Sequence, residues 1–116
     1  MRYILLIYTP EVDEPAYGSE AFNAQMTGYM EFTQGVEKAG IMLAGEPLQP
    51  IATATTVRVR DGKTTTTDGP FAETREQLGG FYMIEGRDLD HAIEVAAQIP
   101  GAKLGSIEVR PIMELG

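Results

Sequence analysis

The 116-residue chain contains no cysteine and a single histidine, His91. The first absence excludes disulfides, thiolate metal sites and a cysteine nucleophile. The second excludes a multi-histidine metal centre within one chain. Positive charge is also scarce: 9 Lys and Arg stand against 17 Asp and Glu, for a net charge of −8. Such a surface repels a phosphate backbone, so nucleic acid is not an expected partner. No run approaches the ~20 apolar residues of a membrane span. The opening MRYILLIYTP is too short and too strand-like for a signal peptide, so no membrane partner is expected and the expected location is the cytoplasm. Chemistry is left to oxygen groups, arginines, lysines and one imidazole, and neither a metal nor a cofactor is expected.

What is present reads as one soluble domain over residues 1–116. Hydrophobic residues at 43% and charged residues at 22% are ordinary globular values. RYILLIY, residues 2–8, is apolar or aromatic on both alternating faces, with Tyr3, Leu5 and Ile7 opposite Ile4, Leu6 and Tyr8. That pattern belongs to a strand covered on both sides. Residues 9–18 hold two prolines, a glycine and three acids and read as a loop. Ser19 stands at an N-cap position, and Phe22, Met26, Tyr29, Met30, Thr33 and Val36 recur at helical spacing until Gly40.

IMLAG, residues 41–45, reads as a short strand, and the prolines of EPLQPIAT argue for an irregular connection or an edge. TVRVRDGKTTTT alternates around Asp61-Gly62, a pair suited to a tight type I′ turn, which predicts a β-ribbon over 56–67. GGFYMIE, 79–85, resumes the two-faced pattern of a central strand. DLDHAIEVAAQIP begins at Asp88 as N-cap, carries an apolar stripe of Leu89, Ala92, Ile93 and Ala96, and stops at Pro100. SIEVRPI, 106–112, alternates as a half-exposed strand does.

The order predicts an α+β fold: a ferredoxin-like βαββαβ unit with an inserted hairpin, its first and third main strands central. Right-handed crossovers place both helices on one face of such a sheet. The other face, lined by large apolar groups, then needs a second layer. A second copy of the chain is the simplest source, so a homodimer with face-to-face sheets is expected.

TTTTDGPFAETREQLGGFYMIE, residues 64–85, holds the strongest local signal. Asp68-Gly69-Pro70 is a turn sequence: the Asp carboxylate can accept backbone N–H groups, Gly tolerates unusual φ and Pro fixes it. The same residues also suit a site, because Gly69 lets a ligand approach the backbone. A carboxyl at Asp68 beside Phe71 and Tyr82 would be partly desolvated and able to exchange protons near neutral pH. Glu73 and Glu76 would share a face if the segment were helical, with Arg75 adjacent. His91 falls on the solvent side of the second helix. Arg110 either binds an anionic group or pairs with an acid. Gly79-Gly80 fits neither GxGxxG nor GxxxxGK[ST], so it is no phosphate loop.

TDGPFAETREQLGGFYMIE, with AGIMLAGEPLQP upstream and LDHAIEVAAQIPGA leading to IEVRPI downstream, resembles the DGPF-domain branch of the YCII-related family. The resemblance covers nearly the whole chain. It implies a ferredoxin-like dimer of the dimeric α/β-barrel superfamily, which includes small-molecule isomerases, dehydrochlorinating lyases and cofactor-free monooxygenases. The shorter YCII-related type often carries a His in the first helix that works with an acid, but no His lies between Ser19 and Gly40 here, so no such dyad is assigned. Genes of the DGPF type commonly neighbour those of extracytoplasmic-function sigma factors.

Two functions follow as expectations. One is a cofactor-independent lyase or isomerase acting on a small molecule, with Asp68 and Glu73 catalytic and Gly69, Phe71, Tyr82 and Arg110 contacting the ligand. The other is a non-catalytic dimeric module that binds a metabolite or a protein such as a sigma factor.

Overall fold

The computed structural model describes residues 1–116 as β1 (Arg2–Thr9), α1 (Glu20–Lys38), β2 (Met42–Pro47), β3 (Thr55–Arg60), β4 (Lys63–Asp68), β5 (Gln77–Glu85), α2 (Leu89–Ala96) and β6 (Ser106–Pro111). Short 3-10 turns at Glu11–Asp13, Ile51–Thr53 and Pro100–Lys103 join them. Four strands form one antiparallel sheet of order β2–β5–β1–β6, so the two strands with apolar residues on both faces are the central ones. This is an α+β, ferredoxin-like arrangement.

Side-chain alternation divides the sheet into two unlike faces. Tyr3, Leu5 and Ile7 of β1 and Tyr82 and Ile84 of β5 pack with Phe32 and Val36 of α1 and with Ala92, Val95, Ala96 and Ile99 on the α2 side. Both helices therefore cover one face. On the other face, Leu6 lies opposite Phe81 and Ile4 opposite Met83, with Glu108 and Arg110 of β6 alongside. No element of the chain reaches full cover there: Ile4, Leu6, Tyr8, Phe81 and Met83 all remain partly exposed.

The caps form as side-chain chemistry dictates. The Ser19 hydroxyl accepts from the Phe22 N–H at 3.1 Å, and an Asp88 carboxylate oxygen accepts from the His91 N–H at 2.8 Å. His91 Nδ1 accepts from the Arg87 N–H, which ties the imidazole to the start of α2. Residues 71–76 are a bent connection, so the helical case in which Glu73 and Glu76 would share a face does not arise. One local expectation fails in part. The buried stripe of α2 is Ala92, Val95 and Ala96, continued by Ile99, while Leu89 and Ile93 stay about half exposed. Small residues on α2 let the helix sit close to the sheet, which turns the stripe toward Val95.

β3 and β4 form a separate two-stranded ribbon. It turns at Asp61 and Gly62, whose φ values of 52° and 74° are those of a type I′ turn. Eleven of its twelve strand residues are exposed, Thr56 being the exception. With this ribbon standing off the sheet, the Cα extents are 47 × 46 × 19 Å and the radius of gyration is 16.1 Å. A compact chain of this length would have a radius of about 13 Å.

Candidate functional site

Two polar regions and two concavities compete for the role. The first region lies between α1 and the sheet. Tyr82, buried on β5, shares a 2.8 Å hydrogen bond with the Thr33 hydroxyl and meets the Phe32 ring edge-on, with centroids 4.9 Å apart. Nearer the end of β1, the hydroxyl of buried Thr9 donates to Glu14 at 2.7 Å. Tyr29, one turn before Thr33 on α1, places its hydroxyl against Gly101, where an added Cβ would lie only 2.8 Å from that oxygen. Burial pushes the Tyr29 phenol above its usual pKa. The Gly101 backbone opposes this, and the nearby Glu14 and Tyr82 add to it. No buried side-chain polar atom in this region lacks a hydrogen-bond partner. Glu14 and Tyr29 carried no local sequence signal for this role, because their neighbours come from β1 and the Pro100–Lys103 turn.

The second region is the corner where the ribbon returns to the sheet. Asp68, the last residue of β4, pairs in register with Thr55. The corner is held without its carboxylate: the Gly69 N–H donates to the Ala54 carbonyl at 2.7 Å, and the Thr56 hydroxyl donates to the Gly69 carbonyl at 2.8 Å. Gly69 takes a φ of +100°, a conformation that disfavours any residue with a Cβ. Asp68 is exposed, Phe71 is 80% exposed, and Glu73 is exposed within the bent connection. The turn-forming reading assigned the Asp68 carboxylate to backbone amides. In the folded chain it accepts no such bond, so the turn leaves it free.

The sequence-derived site residues do not all meet. Asp68, Gly69, Phe71 and Glu73 share the corner. Tyr82 is buried on the α1 side of the sheet with its hydroxyl engaged by Thr33, so within one chain it does not desolvate Asp68. Arg110 lies on the open face of β6 and forms an ion pair with Glu108 at 2.6 Å, which raises its pKa further. No cluster of acids and His91 assembles the geometry of a metal site.

A cleft of about 630 Å³ is lined by Pro10, Val12, Asp13, Arg75 and Glu76, none of which belongs to the corner itself. Arg75 pairs with no acid inside the chain, so its guanidinium is available to an anionic group. A smaller groove of about 240 Å³ between α2 and β6 is lined only by Ile93, Ala96, Ala97, Ala102, Ile107 and Val109. It offers no group able to move a proton. No helix is long and apolar enough to cross a membrane.

The family model of the YCII-related domain matches residues 1–116. An uncharacterized protein of Rhizobium meliloti (strain 1021) is 37% identical over 114 residues, covering 97% of this chain and 92% of that protein. With a full-length family match over the antiparallel α+β sheet described above, the chain belongs to the YCII-related domain family.

Proposed function

We propose that the protein is a DGPF-type member of its family acting on a small organic molecule in the cytoplasm. The reaction is proton transfer of the lyase or isomerase kind, with Asp68 as the transferring group. The observation that supports this reading is the unengaged Asp68 carboxylate: the corner is built by Gly69, Thr56 and Ala54, yet an acid stands there exposed. Its role is to take a proton from a carbon next to a polarised carbonyl and return one, with Glu73 close in sequence as a second carboxyl. Gly69 allows backbone approach, Phe71 supplies an apolar wall, and Arg75, two residues beyond Glu73 in the chain, offers a cation for an acidic substrate group.

The working unit is a homodimer with open sheet faces apposed, giving a dimeric α/β barrel. The partly exposed apolar row Ile4, Leu6, Tyr8, Phe81 and Met83 supports it, since an apolar sheet face without cover from its own chain favours a partner layer.

The test uses a panel of 2-oxo acids and 1,3-diketones in deuterated water, with proton NMR following loss of the C–H signal beside the carbonyl. Wild type is expected to speed exchange for at least one compound, and Asp68→Asn to reduce that rate by roughly 10²-fold or more while leaving the fold intact. Absence of exchange by wild type across the panel would favour the second reading, a dimeric metabolite- or protein-binding module, a sigma factor being one such partner. The exposure of Phe71 supports that reading as well, because an exposed aromatic beside a free acid suits docking to a basic partner.

A further inference from the structure

The β3–β4 ribbon has an order its own chain does not use. In register, Val57 opposes Thr66 and Val59 opposes Thr64, and these share a face with Thr55 and Asp68. Arg58, Arg60 and Lys63, with Thr56, Thr65 and Thr67, occupy the other face. Three of the chain's 9 basic residues therefore line one side of a single ribbon. An antiparallel ribbon with β-branched groups along one side, charged only at its Asp68 end, and cations on the other is patterned to have one face buried and one in water. Here the valine face lies in water as well: Val57 is 59% and Val59 is 58% exposed. A lone two-stranded ribbon is marginal in water, so a cover for the valine face accounts for its pattern.

The size of the shortfall indicates what supplies that cover. The accessible surface is 8174 Å², whereas a compact monomer of 12.6 kDa exposes about 6,200 Å². The excess, about 2,000 Å², is the area that one partner loses in a large permanent interface. The same chain offers a second uncovered apolar surface, the open sheet face. A self-complementary pair lets each copy supply both surfaces to the other.

We infer that the ribbon is a docking arm, and that it seats its Val57 and Val59 face on a second copy of the chain. This rests on the dimer proposed above and adds to it a contact that sheet apposition alone does not require. Seating that face draws Asp68 into the interface region, because Asp68 ends the same row of side chains. The partner copy then supplies the apolar surroundings that one chain withholds from this carboxylate. The basic face stays in water and guards the ribbon against pairing with further strands.

Sedimentation velocity over a concentration series tests the arm, with wild type beside the double variant Val57→Lys/Val59→Lys. Wild type is expected to be dimeric at about 10 μM, and the double variant to dissociate with a constant raised roughly tenfold or more, as loss of two apolar contacts implies. Arg58→Ala with Lys63→Ala, on the opposite face, is expected to leave the constant within about threefold. A double valine variant that dimerises as tightly as wild type overturns the arm while leaving sheet apposition standing. An equal loss from the basic-face variant overturns the choice of face. Wild type that stays monomeric at about 100 μM removes both the arm and the dimer. Should the lysine variant fail to fold, Val57→Thr/Val59→Thr keeps the strand preference and is expected to weaken the dimer in the same direction.

Discussion

The space under α1 and the corner after β4 are both polar, and they are built in opposite ways. Under α1, Thr9 holds Glu14, Thr33 holds Tyr82, and Tyr29 lies against Gly101, so each polar group has work inside the fold. At the corner, backbone groups and Thr56 close the turn, while Asp68, Phe71 and Glu73 are left exposed. Buried polar groups that are satisfied specify packing. Exposed groups that a fold does not need are free to meet something else. The contrast separates the part of this chain that makes it fold from the part it has left available.

The largest expected effect sharpens that separation through stability. Leu5 is fully buried between the sheet and the helices, and Leu5→Ala should cost about 2–5 kcal/mol in denaturant unfolding. Phe71→Ala, at the exposed corner, should cost under about 0.5 kcal/mol in the folded chain. Comparable losses at the two sites would break the division.

A smaller effect probes the polar groups themselves. Tyr82→Phe removes one half of the Thr33 hydrogen bond and should lower stability by about 1 kcal/mol. Asp68→Asn removes no bond and should change stability by less than about 0.5 kcal/mol, even if the proposed proton transfer is slowed by roughly 10²-fold or more. Thermal unfolding of the two variants side by side checks the pair, and a larger loss for Asp68→Asn would mean that the carboxylate does structural work after all.

The smallest effect is a pH dependence. Burial holds the Tyr29 phenol above its ordinary value. The folded chain therefore keeps that proton where the unfolded chain begins to release it, near pH 10. The stability this contributes is complete below that pH and is lost as pH rises through the folded value. Tyr29→Phe should flatten the alkaline limb of a stability–pH curve, and an unchanged limb would locate the titration elsewhere.

Much of the fold was legible because its causes are local. Two-faced apolar runs marked β1 and β5 as central, and Ser19 and Asp88 announced the helix starts that their side chains cap. The failures have a common origin in distant neighbours. FAETREQ left helix and turn both open, and a distant contact decides for the link between ribbon and sheet, where Gln77 accepts from the Glu11 N–H. The stripe of α2 rotated from Leu89 and Ile93 toward Val95 because the sheet, absent from the helix's own sequence, selects the face. The Glu14–Tyr29 neighbourhood was unreadable for the same reason. Grouping Tyr82 with Asp68 failed because alternation along β5 sends Tyr82 to the α1 side.

The ribbon 55–68 and the corner that follows it carry the central claim, that this chain keeps them free for a second copy. Hydrogen exchange read by mass spectrometry at high and low protein concentration tests it most directly. Protection of the ribbon amides at high concentration, lost on dilution while β1 and β5 stay protected, is the predicted result. Ribbon amides that exchange at one rate at every concentration, in a sample shown by scattering to be dimeric, would contradict it.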